Sequence, residues 1–352
     1  MKKILNYLKD NKIVIIQTII LIGIFSIFVW VTSANYVKPI QLRDNDDISY
    51  EFDQANQILD GSNPYERVLK GNLLVNKKYA TLFPLYYYFL ATVSNFSNQI
   101  FKDFIKNYWY IIQAVHFLTA YLIFLYFRRE NKGWLGLLAV AVFLLNRWTV
   151  NNTMVLKQDV ISVMFLLLAV YILPKFPRLS FLTYGISIGI KHLSIFAFPI
   201  FVLYILKMKL KIKQVLILVA IFLIPIIIPS LPFLYSNPKA FFYSLMFSTT
   251  RAPISVGTTN FTGFEKLLVN YNNLGSTFAA FYLLLPRLPL LVLIFSSVIL
   301  VFTKKIKFMA YLPVVYLIFT GLNPVYFVQY SMWITPFILF PNLEDYVFKK
   351  TD

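Results

Sequence analysis

The sequence contains no cysteine, and it has only two histidines, His116 and His192. Disulfide bonds and thiolate metal sites are therefore excluded, and a metal site built on histidines is disfavoured. Charged residues are also scarce, at 14% of the 352 residues. Such a composition is unlike that of a soluble globular domain. We expect no metal in this protein.

Apolar residues, in contrast, are abundant: 59% of the chain is hydrophobic, with 35 Phe and 24 Tyr. The apolar runs recur along nearly the whole length and approach the roughly 20 residues that cross a bilayer. We therefore predict a single all-α, polytopic membrane domain over residues 1–352, with about 8–10 transmembrane helices. The net charge of +18 agrees with basic cytoplasmic loops, so we expect membrane lipid and no nucleic acid as a partner.

The distribution of lysine and arginine predicts the topology. Four lysines precede the first apolar run, which extends from Ile13 to about Ala34, and basic flanks of this kind stay in the cytoplasm. The basic loops after residue 128 then place the C-terminus on the same side. The sequence predicts a multi-pass protein of the plasma membrane with both termini cytoplasmic.

Two polar stretches, 35–80 and 235–277, are predicted to be external loops. The first holds seven of the fifteen acidic residues: Asp44, Asp46, Asp47, Glu51, Asp53, Asp60 and Glu66. Carboxylates just beyond the first helix could take a proton from a hydroxyl group, or they could form an ordinary solvated loop. Asp44-Asn45-Asp46 has the spacing of a metal-binding motif, but we disfavour that interpretation because no nucleotide-binding domain accompanies it.

The second half of the first loop has the pattern of an amphipathic helix. Its apolar side is formed by Phe52, Ala55, Ile58 and Leu59, and the Gly61 and Asn63-Pro64 positions end it. We expect this helix to lie along the membrane surface.

Two apolar runs are predicted to depart from a simple span. The run 82–98 contains Pro84, and the topology favours a re-entrant or interfacial segment there. The run 180–206 begins and ends beside basic loops, so we predict a hairpin of two half-helices that turns near Lys191-His192. Because broken helices are tolerated only where they line a cavity or pack in protein, this hairpin predicts a polar cavity open to the outside.

Several charged residues near these features are candidate site residues. Lys191 interrupts apolar sequence, where an unpaired charge costs about 3 kcal/mol or more; it could neutralise a phosphate or belong to a structural ion pair. His192 and Arg251 could bind the same phosphate, although a polar-network histidine and a solvated arginine are the alternatives. Asp159 begins the run 160–174 and is either a second carboxylate of the site or a charge that complements the helix dipole.

Five segments, taken in order, resemble a known family. RDNDDISYEFDQANQILDGSNPYE is similar to the first external loop of glycosyltransferase family 87, a branch of the GT-C superfamily whose members use polyprenyl-phosphate sugars. The other four are TLFPLYYYFL (81–90), LKQDVISVMFLLLAVYIL (156–173), GISIGIKHLSIFAFPI (185–200) and VQYSMWITPF (328–337). Two positions depart from the family pattern: Lys157 replaces a glycine, and Pro84 is the only proline where the family has two.

The resemblance implies a GT-C-like bundle and a mannosyltransferase-like activity. A sugar, mannose first, would pass with inversion from a polyprenyl-phosphate donor to a hydroxyl of a glycan or glycolipid acceptor of the cell envelope, on the external face and without a cofactor. It places the general base on Asp47, with Asp46 as the alternative, and an intramembrane phosphate-binding lysine on Lys191. Further substrate contacts are implied at Asn260, Gln329 and Tyr330.

Two other functions remain open on the sequence. A transporter or a lipid or glycolipid flippase would also have a buried charge and a broken helix. The long acidic first loop and the absence of inverted repeats favour the enzyme. A catalytically silent assembly subunit is the third possibility, and replacement of Asp46 and Asp47 without effect would favour it.

Overall fold

Helices make up the secondary structure of the computed structural model, which describes residues 12–34, 47–71, 79–250, 288–303, 308–323 and 328–339. No strand occurs among these residues, which confirms the predicted all-α class for that part of the chain. The α-helices are α1 (Lys12–Ala34), α2 (Asp47–Leu59), α3 (Pro84–Phe96), α4 (Phe101–Arg129), α5 (Gly133–Leu145), α6 (Arg147–Met154), α7 (Asp159–Ile172), α8 (Pro177–Ile190), α9 (Phe198–Lys207), α10 (Ile212–Ser236), α11 (Pro238–Thr250), α12 (Leu288–Phe302), α13 (Phe308–Leu322) and α14 (Thr335–Ile338). Three 3-10 helices span Glu66–Lys70, His192–Ala197 and Val328–Trp333.

Three of the described helices, α1, α4 and α10, are long and apolar enough to cross a membrane. Helices α5 and α6, which meet at a bend of 49°, add a fourth candidate if they form one broken span. The other apolar helices in the described ranges have 10–17 residues, fewer than the roughly 20 that a straight span needs. These helices support a membrane protein with three or four candidate spans, and the larger number expected from the sequence stays a prediction.

Helix α2 confirms the predicted amphipathic helix in the first polar loop. It begins at Asp47 and buries Ile48, Phe52 and Ala55 against α3 and α4. Ile58 packs against the same apolar cluster, and Leu59, the last residue of the helix, is 37% exposed. The helix ends before Gly61, whose φ of +74° is a left-handed conformation that glycine adopts without steric cost.

Helix α3 lies in the run that the sequence assigned to a re-entrant or interfacial segment. Pro84 is at its first turn, where proline is tolerated because its missing N–H has no intrahelical partner to lose. The helix has 13 residues and is therefore about 20 Å long, against a bilayer core of about 30 Å. Its length agrees with a segment that makes no full crossing.

The helical hairpin expected near Lys191 is present. Helix α8 ends at Ile190, Lys191 is extended (φ −145°, ψ 117°), and a 3-10 turn leads into α9. The ring of Tyr184 on α8 stacks on Phe201 of α9 with centroids 4.0 Å apart. This contact shows that the chain reverses direction at the break. The predicted break at Lys191-His192 is confirmed, and the opening of a cavity to the outside stays a prediction.

Helix α8 is held in the centre of the bundle by close contact with α10. A Cβ atom added at Gly185 would lie 2.1 Å from the carbonyl oxygen of Phe222, and one at Gly189 would lie 3.2 Å from that of Pro225. Pro229 has no N–H, so it cannot donate a hydrogen bond to the Pro225 carbonyl one turn earlier. The glycines of α8 allow that helix to approach this carbonyl closely. Small residues are the usual means by which membrane helices pack this closely.

Gly185→Ala is expected to reduce the stability of the folded protein strongly, because the new methyl group would meet a backbone carbonyl that moves only if α10 moves. Overpacking of this kind costs about 1–3 kcal/mol or more. Thermal unfolding followed by intrinsic fluorescence would measure the loss. The matched control is Gly23→Ala in α1, where an added Cβ meets no atom within 4 Å. Equal melting temperatures for the two variants would contradict the α8–α10 contact.

Candidate functional site

A buried ion pair joins the beginning of α7 to the end of α8. The Nζ atom of Lys191 is 3.3 Å from Oδ2 of Asp159, and the two side chains are 7% and 0% exposed. Since α7 and α8 are packed neighbours, the helix-terminal positions of these residues bring them together. The complete burial of Asp159 means that it does more than complement the dipole of α7. The structure thus pairs two residues that the sequence singled out separately.

Trp333 fixes the other oxygen of the same carboxylate. Its Nε1 atom donates to Oδ1 of Asp159 over 2.7 Å, and the indole is 1% exposed. A buried carboxylate therefore has both a cationic partner and a neutral donor, as the cost of burying a charge requires. Trp333 was not among the site residues predicted from the sequence, although it is part of the family-like pattern at 328–337.

Three buried serines hold the break at Lys191 against α7. The Oγ atom of Ser194 is 2.9 Å from that of Ser162 on α7 and 2.5 Å from that of Ser187 on α8. In addition, Ser162 and Ser187 each donate to the other's backbone carbonyl over 2.7 Å. These hydrogen bonds connect α7, α8 and the 3-10 helix His192–Ala197. They therefore fix the position of Lys191 relative to Asp159.

A second ion pair lies nearby, between Asp47 at the start of α2 and Lys157 in the turn before α7. The Nζ–Oδ2 distance is 2.5 Å, and the side chains of Lys157 and Asp47 are 17% and 38% exposed. The pair is therefore more accessible than the pair of Lys191 and Asp159. Lys157 was predicted only as a departure from the family glycine, and its contact with the candidate base was not predicted.

A residue with a left-handed backbone, Leu156, precedes Lys157 in the turn before α7. Leu156 has a φ of +54° and lies where helices that end in this way usually carry glycine. The Lys157 N–H donates to the Asn152 carbonyl over 3.0 Å, and the Leu156 N–H donates to that of Thr153 over 3.2 Å. A left-handed leucine costs roughly 1 kcal/mol, and retained strain of this kind is most common at functional sites.

Glu51 lies near members of both ion pairs, since the charges of Asp47, Lys157 and Lys191 all act on it. It lies one turn after Asp47 on α2 and accepts a hydrogen bond of 2.7 Å from the hydroxyl of Tyr86, which is 3.2 Å from the hydroxyl of Tyr108. Burial raises the pKa of Glu51 to about 7, while the Tyr86 hydrogen bond and the charges of Lys157 and Lys191 oppose that rise. The sequence counted Glu51 among the acidic loop residues and gave it no role.

We call five residues the charge cluster: Asp47, Glu51, Lys157, Asp159 and Lys191. Together they can perform two kinds of chemistry. The lysines can neutralise a bound anion, and a carboxylate can accept a proton. The imidazole of His192 interacts electrostatically with both Lys191 and Asp159, so it lies close enough to influence the same anion.

The remaining predicted site residues fall into two groups. Asp46, Arg251 and Asn260 lie outside the described residues. Gln329 and Tyr330 are on the same 3-10 helix as Trp333: the Gln329 carbonyl is 3.5 Å from the Asn152 amide nitrogen, and the Tyr330 ring packs on Phe319. Their substrate contacts stay predictions.

Within the described ranges, no group of three or more histidine or acidic side chains is arranged to hold a metal ion. The sequence matches no protein-family model, and comparison with curated proteins gives no match. The function is therefore inferred from the charge cluster and from the family-like segments.

Proposed function

We propose that this protein is an integral membrane glycosyltransferase of the GT-C type, which transfers a sugar from a polyprenyl-phosphate donor to an acceptor hydroxyl. The observation that supports it best is the charge cluster, which places an accessible carboxylate, Asp47, in the same group as the buried cation Lys191. An inverting transfer from a lipid phosphate needs one group of each kind. The site would face the outside of the plasma membrane, as the charge distribution predicts.

In this mechanism Asp47 accepts the proton of the acceptor hydroxyl as the oxygen forms a bond to the anomeric carbon. The bond from that carbon to the phosphate oxygen breaks, and its electron pair leaves with the polyprenyl phosphate. The phosphate gains negative charge, which Lys191 stabilises. An ammonium group has three N–H donors, so Lys191 can bind the phosphate and keep its bond to Asp159. His192 and Arg251 are proposed as further phosphate contacts.

Exposure separates the roles of the two aspartates. A general base must touch the hydroxyl that it deprotonates, and Asp47 at 38% exposure is open to an acceptor, whereas Asp159 at 0% is closed. Asp159 and Trp333 are therefore assigned to positioning Lys191. Asp46 stays the alternative base.

The resemblance to family 87 supports mannose as the sugar and a glycan or glycolipid as the acceptor. No cofactor enters this mechanism, because the lipid-linked donor is already activated and cationic side chains supply the positive charge.

The test is a transfer assay with the purified full-length protein in lipid nanodiscs. Radiolabelled polyprenyl-phosphate mannose is incubated with it, and the label is followed from the lipid to acceptor or, by slow hydrolysis, to free sugar. Transfer or hydrolysis that depends on the protein is expected, and a panel of other polyprenyl-phosphate hexoses extends the assay. If no donor in the panel loses its sugar in the presence of membrane acceptors, the proposal is wrong.

Transport of a lipid-linked sugar is the second candidate, because the buried ion pair at a helix break is also typical of transport pathways. Liposomes that contain a fluorescent polyprenyl-phosphate sugar distinguish the two functions. A flippase would move the label between leaflets without a new glycosidic bond.

A further inference from the structure

Glu51 is a partly buried carboxylic acid in the charge cluster that the proposed transfer does not use. Its charged neighbours are Asp47 on its own helix, Lys157 in the turn before α7 and Lys191 at the end of α8, and the hydroxyl of Tyr86 on α3 donates a hydrogen bond to it. On the α4 side, the hydroxyl of Tyr108 contacts that of Tyr86. Tyr87 on α3 also interacts electrostatically with Glu51, so polar groups from several elements surround this carboxyl group.

The charge balance of the cluster depends on whether Glu51 is protonated. Three carboxylates face two lysines, so the cluster has a net charge of −1 when Glu51 is ionised and no net charge when it is neutral. An anion that approaches Lys157 and Lys191 is repelled by the excess carboxylate in the first state only. Lys191 and Asp159 are buried and the other three members are partly buried, so this repulsion is screened less than it would be in bulk water.

We propose that Glu51 is a proton-binding residue of this site, and that a phosphodiester anion which binds beside Lys157 and Lys191 takes up a proton at Glu51. The negative charge of the bound anion raises the proton affinity of Glu51. By reciprocity, protonation of Glu51 raises the affinity for the anion. This inference rests on the proposed phosphate site, but it does not require that a sugar is transferred.

The pKa of Glu51 puts the effect in an accessible range. With an ordinary carboxyl pKa the residue would be ionised throughout the neutral range, and its pKa of about 7 in this structure leaves it part protonated there. As the pH rises above about 7, the free protein loses this proton. Anion binding must then restore it, so affinity falls by as much as about tenfold for each pH unit.

The experiment measures proton uptake on binding by isothermal titration calorimetry of the purified full-length protein, in buffers with different ionisation enthalpies. The probe is the methyl diester of a short polyprenyl phosphate. A diester is needed because a phosphate monoester has its own second pKa near 6. For the wild type we expect uptake approaching one proton per bound diester above about pH 7, and little uptake at acidic pH, where Glu51 is already protonated.

Glu51→Gln mimics the protonated acid and is expected to bind the diester without proton uptake and with little dependence on pH. The matched control is Asp60→Asn, which removes an exposed carboxylate just after the same helix and should keep the wild-type profile. His192→Gln tests the other titratable side chain near Lys191. This variant should still take up a proton when it binds the diester, even if its affinity for the diester falls.

Tyr86→Phe gives a test that keeps the carboxyl group and so does not depend on how well Glu51→Gln folds. The hydrogen bond from Tyr86 lowers the pKa of Glu51, so its loss should move the proton-uptake profile to higher pH. The inference is overturned if the wild type binds the diester without proton uptake, if Glu51→Gln takes up protons as the wild type does, or if Tyr86→Phe leaves the profile unchanged. Proton-coupled binding without any sugar transfer would instead sustain this inference and count against the enzyme.

Discussion

Lys191→Met is expected to destabilise the protein by about 3–5 kcal/mol, because it leaves the fully buried carboxylate of Asp159 without its cation. The remaining hydrogen bond from Trp333 compensates for only part of that charge. Adding Asp159→Asn should restore most of the stability, since the amide carries no charge and can still accept the tryptophan N–H. Thermal unfolding of the single and double variants measures this difference.

Activity should not follow stability in these variants. On the proposed mechanism, Lys191→Met and the double variant should both bind the lipid phosphate weakly and transfer sugar slowly, because the leaving phosphate would lose the cation that stabilises it. Lys191→Arg keeps the charge with a different geometry and should retain part of the activity. If the double variant recovers stability and activity together, Lys191 has a structural role only, and another cation must bind the phosphate.

Asp47→Asn is expected to lower the rate of sugar transfer by about 10²–10⁴-fold, the range for loss of a general base. The amide has nearly the same shape as the carboxylate but cannot accept the proton. Stability should change little, because the pair of Asp47 and Lys157 is partly exposed and exposed ion pairs contribute about 0–1 kcal/mol. Donor binding should persist, so the loss should appear in kcat. Transfer and donor binding are measured on the same preparation.

Asp60→Asn is the control for this prediction, because it removes an exposed carboxylate of the same loop and should leave transfer at the wild-type rate. Near-normal turnover in Asp47→Asn together with loss in Asp46→Asn would move the role by one residue. Normal turnover in both variants would eliminate an aspartate base from this part of the chain.

Local pattern was sufficient to predict several features of this fold. The amphipathic spacing of Phe52 and Ala55 gave helix α2, and the lysine in an apolar run gave the break at Lys191. Both signals are contained in fewer than ten neighbouring residues.

The partners within the charge cluster could not be predicted from such patterns. Trp333 is separated from Asp159 by 174 positions, and Lys157 from Asp47 by 110. Only the packing of the helices brings them together. Glu51 shows the same limit: its sequence neighbours are those of a polar loop, but contact of α2 with α3 and α4 partly removes it from water, and that desolvation raises its pKa.

The hydrogen bond from Trp333 to Asp159 can form only late in biosynthesis. At roughly 5–20 residues per second, the ribosome adds Trp333 several seconds or more after Lys191. Asp159 and Lys191 therefore enter the membrane and can pair while the indole donor does not yet exist. During that interval, Oδ1 of Asp159 lacks the hydrogen bond that Trp333 later donates. The carboxylate gains this bond only after the segment 328–333 has been synthesised and packed. A ribosome stalled before residue 333 would hold the protein in this earlier state.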